Sequence, residues 1–153
     1  MERERKLNTL LAQAGVKTDT TTGALTTPLH FSTTYQHPEF GQSTGYDYTR
    51  TKNPTRASLE ETLAAIESAD YALATSSGMS AIVLAFSAFP VGSKVLAVRD
   101  LYGGSFRWFA QVEAEGRFSF TYANTEEELL NKLTDDIDIV YIETPTNPLM
   151  VEF

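Results

Sequence analysis

The hydrophobic positions that follow the first third of the chain predict a helix. Its apolar residues recur at i, i+4 and i+7: Leu59, Leu63 and Ile66. This spacing is typical of an amphipathic helix. Pro54 suits the first helical turn and Asn53 is a favourable N-cap before it, so the helix is predicted to begin at Pro54 and to end near Ser68.

From residue 71 onward, strand-like and helix-like patterns alternate. Short apolar runs predict four strands, at 71–75, 94–98, 118–122 and 138–144. The segments between them predict three helices: 78–89, which is apolar on every face and expected to be buried, 105–116, which stops at a glycine, and 125–133. Thr125 and Glu128 form a capping box at the start of the third helix. This alternation, with crossovers of such length, predicts a parallel sheet covered by helices on both faces.

The first 53 residues follow neither pattern for long. Residues 2–13 predict a helix with leucines on one face, whereas 15–45 is rich in Thr, Ser, Gly and Pro without a clear period. Long irregular segments are uncommon inside compact domains, so we expect an extended arm that is either disordered or ordered by packing on something outside its own domain. The predicted organisation is an N-terminal helix and arm over 1–53 and an α/β domain over 54–153.

Charge and cysteine content exclude several classes of function. Twelve basic against 20 acidic residues give a net charge of -8, which argues against nucleic acid or an anionic membrane as the partner. The chain has no cysteine, so disulfides, thiolate metal sites and thiol nucleophiles are excluded, and a cytoplasmic location is favoured. The sequence stops directly after a strand-like run and a proline-bounded loop. We therefore expect it to be part of a longer protein.

Motifs with polar residues and glycines follow the predicted strands, where ligands bind in open parallel sheets. After the first strand comes SSGMSA, in which Ser76 and Ser77 can cap the next helix and Gly78 gives access to its first N–H groups. This arrangement suits an anion, although it could be only a cap and a tight turn. After the second strand comes RDLYGGS, where Tyr102 could stack on a planar ligand or lie buried under its glycine turn.

The loop after the fourth strand has the sequence ETPTNP. It presents four polar side chains: Glu143, Thr144, Thr146 and Asn147. Taken alone, this loop is explained by turn chemistry. Together with the two earlier motifs it describes a site for a flat, phosphorylated ligand, and the segment YDYTRTKNPT adds Arg50, whose guanidinium matches phosphate with paired hydrogen bonds.

The order and spacing of YDYTRTKNPT, SSGMSA, DLYGGSFR and ETPTNP resemble the cysteine and methionine metabolism family of enzymes that depend on pyridoxal phosphate (PLP). That family includes cystathionine γ-synthase, the cystathionine lyases and methionine γ-lyase. The resemblance runs from about Thr20 to the last residue. It implies the large domain of a type I PLP-dependent transferase, similar to aspartate aminotransferase, preceded by an extended arm, with 54–153 as the first part of that domain.

The resemblance also implies how the cofactor phosphate is held. Tyr48 and Arg50 match the pair that binds this phosphate from the neighbouring subunit of an active-site dimer, and in the complete protein we expect a dimer of such dimers. Gly78 and Met79 match the positions whose backbone N–H groups bind the phosphate in their own subunit.

Three further positions match residues around the cofactor ring and the substrate. Tyr102 matches the tyrosine that stacks on the pyridine ring and is a candidate for proton transfer at the substrate. Asn147 matches the asparagine near the ring hydroxyl. Arg107 matches an arginine that is common in the γ-synthase and γ-lyase branches, where it faces the distal end of the amino-acid substrate, although it could be an ordinary exposed helix arginine.

Small departures from the family pattern leave its chemistry intact: Thr49, Ser80 and Ser105 stand where serine, alanine and threonine are frequent. The lysine that would hold the cofactor is absent from this sequence, and the aspartate that would pair with the pyridine nitrogen is expected further along. None of the lysines lies in a Ser/Thr-rich loop after a later strand: Lys6, Lys17, Lys52, Lys94 and Lys132. A PLP enzyme needs both groups, so these residues can bind cofactor but cannot complete the reaction.

The function expected from the resemblance is γ-replacement or γ-elimination on homoserine esters, cystathionine or related amino acids. Cystathionine β-lyase, methionine γ-lyase and O-acylhomoserine sulfhydrylase chemistry are alternatives within the family. A complete non-catalytic module that binds a phosphate ligand or another subunit is a different possibility. A nucleotide-binding Rossmann-like domain is less well supported, because G-x-G-x-x-G is missing and Asp100 is poorly placed for a ribose.

Overall fold

A computed structural model describes residues 7–16 and 19–153. The chain divides into two compact units, Met1–Ala74 and Thr75–Phe153. The helix that follows Asn53 therefore groups with the N-terminal residues in this chain. The domain boundary predicted at residue 53 refers to the complete protein and stays a prediction.

The first unit contains two helices joined by a long irregular segment. Helix α1 spans Leu7–Ala12 and α2 spans Pro54–Ile66. The helix predicted over 2–13 is confirmed from Leu7, and its earlier residues lie outside the described part of the chain. The described residues between α1 and α2 form only three isolated antiparallel bridges: Val16 with Thr26, Thr34 with Tyr48, and Glu39 with Gln42. The predicted arm is thus irregular, as expected.

Helix α2 begins as predicted but buries the opposite face from the one expected. The Asn53 side chain accepts a hydrogen bond from the Thr55 N–H at 2.9 Å. The buried positions are Ala57 and Ala64, while Leu59 is 51% exposed. At 100° per residue the two alanines lie on one side and the leucine stripe on the other. The arm contacts α2 through hydrogen bonds, including the one from the His30 N–H to Thr55 Oγ1 at 2.8 Å.

The second unit is built on a parallel sheet of three strands. They are β1 (Ser93–Val98), β2 (Phe118–Ala123) and β3 (Ile139–Tyr141), in the order β2-β1-β3. The strand predicted at 71–75 is wrong for this chain. Both edges of β1 are taken, and 71–75 has no pairing partner among the described residues, so its hydrophobic pattern alone does not make a strand. Tyr71 is accordingly 88% exposed.

Helices cover both faces of this sheet, as predicted. Helix α4 (Gly103–Ala114) connects β1 to β2, and α5 (Glu126–Lys132) connects β2 to β3. These two crossovers run in opposite directions along the sheet, and the right-handed rule for crossovers between parallel strands then puts their helices on opposite faces.

The core lies where α4 meets the sheet. Residues 95–98 of β1 are fully buried. Phe109 of α4 is also fully buried, and its ring stacks on Phe120 at 4.5 Å and meets the edge of Tyr141 at 5.0 Å between ring centroids. Leu129 of α5 is buried in the same cluster.

No helix among the described residues is long and apolar enough to cross a membrane.

Helix α3 is shorter and more exposed than predicted. It spans Gly78–Phe86, and only Phe86 is buried. The Phe86 ring packs on Trp108 and Phe109 of α4, with centroids 5.2 Å apart in both pairs. Val83 and Leu84 remain more than 40% exposed, because no described element of this unit covers the outer side of the helix.

Smaller differences concern the ends of the other elements. Helix α4 begins two residues before the predicted start, and β3 is shorter than the predicted strand at 138–144. The capping box is half formed. Thr125 Oγ1 accepts the Glu128 N–H at 3.1 Å, whereas the Glu128 carboxylate accepts the Asn124 N–H at 3.0 Å instead of the Thr125 N–H.

A surface ion pair at the start of β1 gives a pH-dependent prediction. Lys94 Nζ lies 2.6 Å from Asp136 Oδ2, and this hydrogen bond, with one from Thr134, lowers the pKa of Asp136 to about 2. A lowered pKa means that the ionised carboxylate stabilises the fold above its ordinary pKa of 3.8 and that this contribution is lost as the pH falls toward 2. We expect Asp136→Asn to lower the Tm slightly at pH 7, with a difference that shrinks at acid pH and in high salt.

Melting curves of the complete protein at a series of pH values check this prediction. Asp135→Asn makes the same change in net charge at the adjacent position and serves as the control. A Tm difference for Asp136→Asn that is as large at pH 2 as at pH 7 would contradict it.

Candidate cofactor site

A cavity of about 450 Å³ opens in the second unit, beyond the carboxyl ends of β1 and β3. Its volume is in the range of small-molecule and cofactor sites. Eight residues line it: Ser77, Gly78, Met79, Ile82, Tyr102, Ser105, Glu143 and Asn147. The structure therefore brings together four of the predicted cofactor-binding residues, Gly78, Met79, Tyr102 and Asn147, from three separate motifs.

The N-terminus of α3 supplies backbone donors to this cavity. Ser77 is the N-cap, and its Oγ accepts the Ser80 N–H at 3.1 Å. Ser76, the other predicted cap, makes no such contact in the described residues. The N–H groups of Gly78 and Met79 have no helical carbonyl to bond, because they lie in the first turn. A Cβ at Gly78 would meet nothing within 4 Å, so an anion has room to approach these donors and the positive end of the helix dipole.

Tyr102 lies at the start of α4 with its side chain 47% exposed. The ring is set against Gly104, since a Cβ built there would lie 2.4 Å from Tyr102 Cε1 and 3.2 Å from Met79 Sδ. Gly104 thus provides the space in which the tyrosine ring sits beside Met79. The exposed part of the ring is available to a planar ligand.

Glu143 was noted in the ETPTNP loop but not predicted as a site residue. Its carboxylate accepts three hydrogen bonds: from the Tyr102 N–H at 2.8 Å, from Ser105 Oγ at 3.0 Å and from Tyr141 Oη at 2.9 Å. Burial raises the pKa of the Tyr141 hydroxyl, and the Glu143 carboxylate raises it further against the opposing effect of Ser105. Tyr141 is therefore a stable donor at neutral pH.

Thr146 anchors the rest of the ETPTNP loop and is not available to a ligand. Thr146 is 1% exposed. Its hydroxyl donates to the Asp100 carboxylate and accepts the Val151 N–H at 2.9 Å. The expectation that the loop presents Thr146 to a ligand is wrong, because these two bonds hold the side chain inward, while the adjacent Asn147 lines the cavity.

Tyr48 and Arg50 lie in the first unit, on the loop before α2. The Arg50 guanidinium carbon lies 4.5 Å from the centre of the Tyr48 ring, within the range of a cation–π contact. The loop is fixed from α2, where Arg56 donates to the carbonyl oxygens of Thr49 and Thr51 at 2.9 Å each. The backbone on both sides of Arg50 is thereby held, while the Arg50 side chain is exposed.

Comparison with known proteins decides the family. The model of the Cys/Met metabolism PLP-dependent enzyme family matches residues 8–152. The chain belongs to this family. The resemblance, the type I fold and the PLP cofactor predicted from the motifs are therefore confirmed.

Individual relatives of the family match over nearly all of the chain. The chain is 42% identical over 148 residues to a cystathionine gamma-synthase/O-acetylhomoserine (thiol)-lyase of Bacillus subtilis. The matched region covers 95% of this chain and 40% of that protein. It is 36% identical to a cystathionine beta-lyase of the same organism over 146 residues, covering 94% and 37% respectively.

A solved structure from the same group of enzymes also matches this chain. Cystathionine gamma synthase from Xanthomonas oryzae superposes with a TM-score of 0.87 at 36% identity, over 97% of this chain and 39% of that one. The chain thus spans about 40% of the length of the relatives it matches.

The cavity suits the cofactor of this family. PLP is a planar, phosphorylated aldehyde, so it needs donors for a dianion and a surface for a flat ring. The first-turn N–H groups of Gly78 and Met79 provide the donors, and the half-exposed ring of Tyr102 provides the surface. Asn147 adds an amide at the cavity wall. The described residues therefore fit PLP, in keeping with the membership of the family.

Arg107, the predicted substrate ligand of the family, lies one turn into α4. It is exposed and does not line the cavity. Its Nη1 lies 3.2 Å from the position that a Cβ would occupy at Gly103. The guanidinium is thus folded back on the first turn of α4, and its predicted contact with substrate stays a prediction.

The two glycines after Tyr102 give a paired prediction for the complete enzyme. Gly104→Ala should displace the tyrosine ring, because its Cβ would lie 2.4 Å from Tyr102 Cε1. We expect the PLP affinity to fall by roughly tenfold, the effect of losing one well-placed contact. Gly103→Ala meets only the mobile end of Arg107, at 3.2 Å, and should leave PLP affinity unchanged. Fluorescence titration of the apoenzyme with PLP measures both, and equal affinities for the two variants would contradict the assignment.

Proposed function

We propose that the complete protein carrying this chain is a PLP-dependent transsulfuration enzyme that performs γ-replacement or γ-elimination on a homoserine ester or on cystathionine. The observation that carries the proposal is the convergence of Gly78, Met79, Tyr102 and Asn147 on one cavity, in a chain that matches the family over residues 8–152. A non-catalytic module is disfavoured, because the family consists of enzymes.

In this proposal the chain's own residues bind and orient the cofactor. Gly78 and Met79 would donate their N–H groups to the phosphate, Tyr102 would offer its ring to the pyridine, and Asn147 would supply an amide to the ring hydroxyl. When bound, PLP supplies an electron sink that makes the α hydrogen of an amino acid acidic. We assign proton transfer at the substrate to Tyr102, and its half exposure at the cavity wall supports this assignment.

Tyr48 and Arg50 complete the phosphate site from the neighbouring subunit. Two features of the arm support this assignment. The Arg50 guanidinium is exposed on a loop with a fixed backbone. Several large apolar side chains of the arm are also at least 70% exposed: Leu29, Phe31 and Phe40. Such a surface favours contact with another chain, so we propose an active-site dimer, and a dimer of dimers as the complete assembly.

The complete enzyme also requires a lysine that holds the cofactor. None of the five lysines in this sequence matches the family's position for it. We expect that lysine, and the aspartate for the pyridine nitrogen, in a part of the complete protein outside these residues. The cytoplasmic location stays a prediction.

The choice between γ and β chemistry rests on Arg107. By resemblance it would face the distal end of the substrate, which favours the γ-synthase and γ-lyase branches. Similarity to a cystathionine beta-lyase at 36% identity keeps β-elimination as the second candidate. The complete enzyme should be assayed with an O-acylhomoserine plus cysteine, and separately with cystathionine. Cystathionine from the first assay, or cysteine and 2-oxobutyrate from the second, supports γ chemistry, and homocysteine and pyruvate alone would contradict it.

A further inference from the structure

The carboxylate of Glu143 joins two elements that border the cavity. It follows β3, and it accepts hydrogen bonds from the backbone of Tyr102 and the side chain of Ser105 at the start of α4. It also accepts one from Tyr141, the last residue of β3. A single side chain therefore ties the end of one strand to the first turn of the helix that carries the cofactor-stacking tyrosine.

These contacts make Glu143 a fixed group. Oε1 receives the Ser105 and Tyr141 hydroxyls, and Oε2 receives the Tyr102 N–H. A carboxylate at the N-terminus of the twelve-residue helix α4 is further favoured by the helix dipole. With both oxygens bonded to donors from α4 and β3, Glu143 is well suited to hold its neighbours in place.

Tyr102 needs such an anchor. It is the N-cap residue of α4, and its side chain makes no capping hydrogen bond. Its backbone N–H is held by Glu143, and its ring lies beside Gly104 and Met79. A shift of the Tyr102 N–H would therefore swing the ring relative to the donors at the N-terminus of α3.

We propose that Glu143 is a positioning residue for PLP binding that acts through Tyr102. The inference rests on the proposed function, in which the Tyr102 ring packs on the cofactor. Glu143 fixes the Tyr102 backbone, and the fixed backbone sets the angle at which the ring meets the pyridine. The carboxylate thus contributes to cofactor affinity without being a catalytic residue.

A double-mutant cycle in the complete enzyme tests this role. Glu143→Gln keeps the size of the side chain but replaces one acceptor oxygen with an NH2 donor, so either the Tyr102 N–H or the two hydroxyls at Oε1 lose their acceptor. We expect the Kd for PLP, measured by fluorescence titration of the apoenzyme, to rise roughly tenfold. In a Tyr102→Ala background the same substitution should leave the Kd unchanged, because the ring through which it acts is gone.

The control variant is Glu113→Gln. Glu113 lies on α4 and, like Glu143, accepts a backbone N–H, that of Phe120 at 2.9 Å, but it does not line the cavity. It should leave the Kd for PLP unchanged even if the Tm falls. A merely structural role for Glu143 would lower the Tm without any coupling to Tyr102.

If Glu143→Gln does not fold, Tyr141→Phe removes one donor to the carboxylate at nearly constant volume. It should raise the Kd for PLP less than Glu143→Gln would, again only when Tyr102 is present. Additive effects of either substitution with Tyr102→Ala, or an unchanged Kd in the single variants, would overturn the inference. A parent protein that binds no PLP would instead contradict the proposed function itself.

Discussion

Arg50→Ala should strongly weaken the binding of PLP to the complete enzyme. The exposed guanidinium lies above the Tyr48 ring on a loop held from α2, and we propose that it pairs with the cofactor phosphate of the neighbouring subunit. Removing one partner of a hydrogen-bonded charge pair costs about 2 kcal/mol or more, which is roughly a 30-fold increase in Kd. Titration of the apoenzyme with PLP measures the change.

Two comparisons make this experiment specific. Lys52→Ala removes a cation two residues away, whose ammonium nitrogen lies 5.2 Å from the centre of the Tyr46 ring, and should leave the Kd unchanged. Arg50→Lys retains the charge but loses the paired geometry, so its Kd should lie between those of the parent and Arg50→Ala. A Kd for Arg50→Ala equal to that of the parent would contradict the role of Arg50.

Mixing subunits tests whether Arg50 acts across the dimer. Subunits with Arg50→Ala are combined with subunits carrying Tyr102→Ala, which damages the cavity of its own subunit. If Arg50 completes its neighbour's site, each mixed dimer has one site with both changes and one with neither, so PLP binding at parental affinity returns to half of the sites. If Arg50 serves its own subunit, every site carries one change and no affinity is recovered.

Phe109→Ala should cause the largest loss of stability. Phe109 is fully buried between α4 and the sheet, and it packs on Phe86, Phe120 and Tyr141 with ring centroids 4.5 to 5.2 Å apart. Replacing a buried phenylalanine with alanine costs about 3–5 kcal/mol, because apolar contacts are lost and a cavity remains. Urea unfolding of the complete protein, followed by far-UV circular dichroism, measures the free energy of unfolding.

Phe109→Leu is the matched control for this substitution. It keeps most of the buried volume and should cost less than half as much, so the two variants separate cavity formation from loss of the ring. If Phe109→Ala changes the free energy of unfolding by less than about 1 kcal/mol, the position given to α4 on the sheet is wrong.

The elements that the sequence predicts well are those specified by their own residues. Helix α2 starts at Pro54 because Asn53 caps it, and Thr125 caps α5 in the same way. Strand β1 and its neighbour β2 appear where the apolar runs predict them. In each case the residues that specify the element lie within or next to it, so the element can be predicted without knowing how it packs.

Apart from Thr146, the wrong predictions concern which partner an apolar surface meets. The run at 71–75 has strand character but no pairing strand among the described residues. The leucines of α2 form a regular stripe, yet the buried side chains of this helix are two alanines, and the arm meets the helix through hydrogen bonds at Thr55 and Ser58. Helix α3 is apolar all round, but only Phe86 is covered. Periodicity shows that a face is apolar and does not show what covers it.

The candidate site also contains residues that local motifs predict and a residue whose contacts depend on packing. Tyr102, Gly78 and Asn147 could be predicted because each belongs to a motif beside a predicted strand end. The role proposed for Glu143 could not be predicted from the sequence. It depends on hydrogen bonds from Tyr102, Ser105 and Tyr141, which lie up to 41 residues away along the chain. Only the three-dimensional structure brings these donors together.

The central claim is that this chain supplies the phosphate and ring contacts of a PLP site whose lysine lies outside these 153 residues. Borohydride reduction of the complete enzyme fixes PLP covalently to the lysine that holds it, and peptide mass spectrometry then locates the label. The account predicts one label per subunit, on a lysine outside this sequence, with the five lysines of this chain unmodified. A label on any of those five, or a complete protein that retains no PLP, would contradict it.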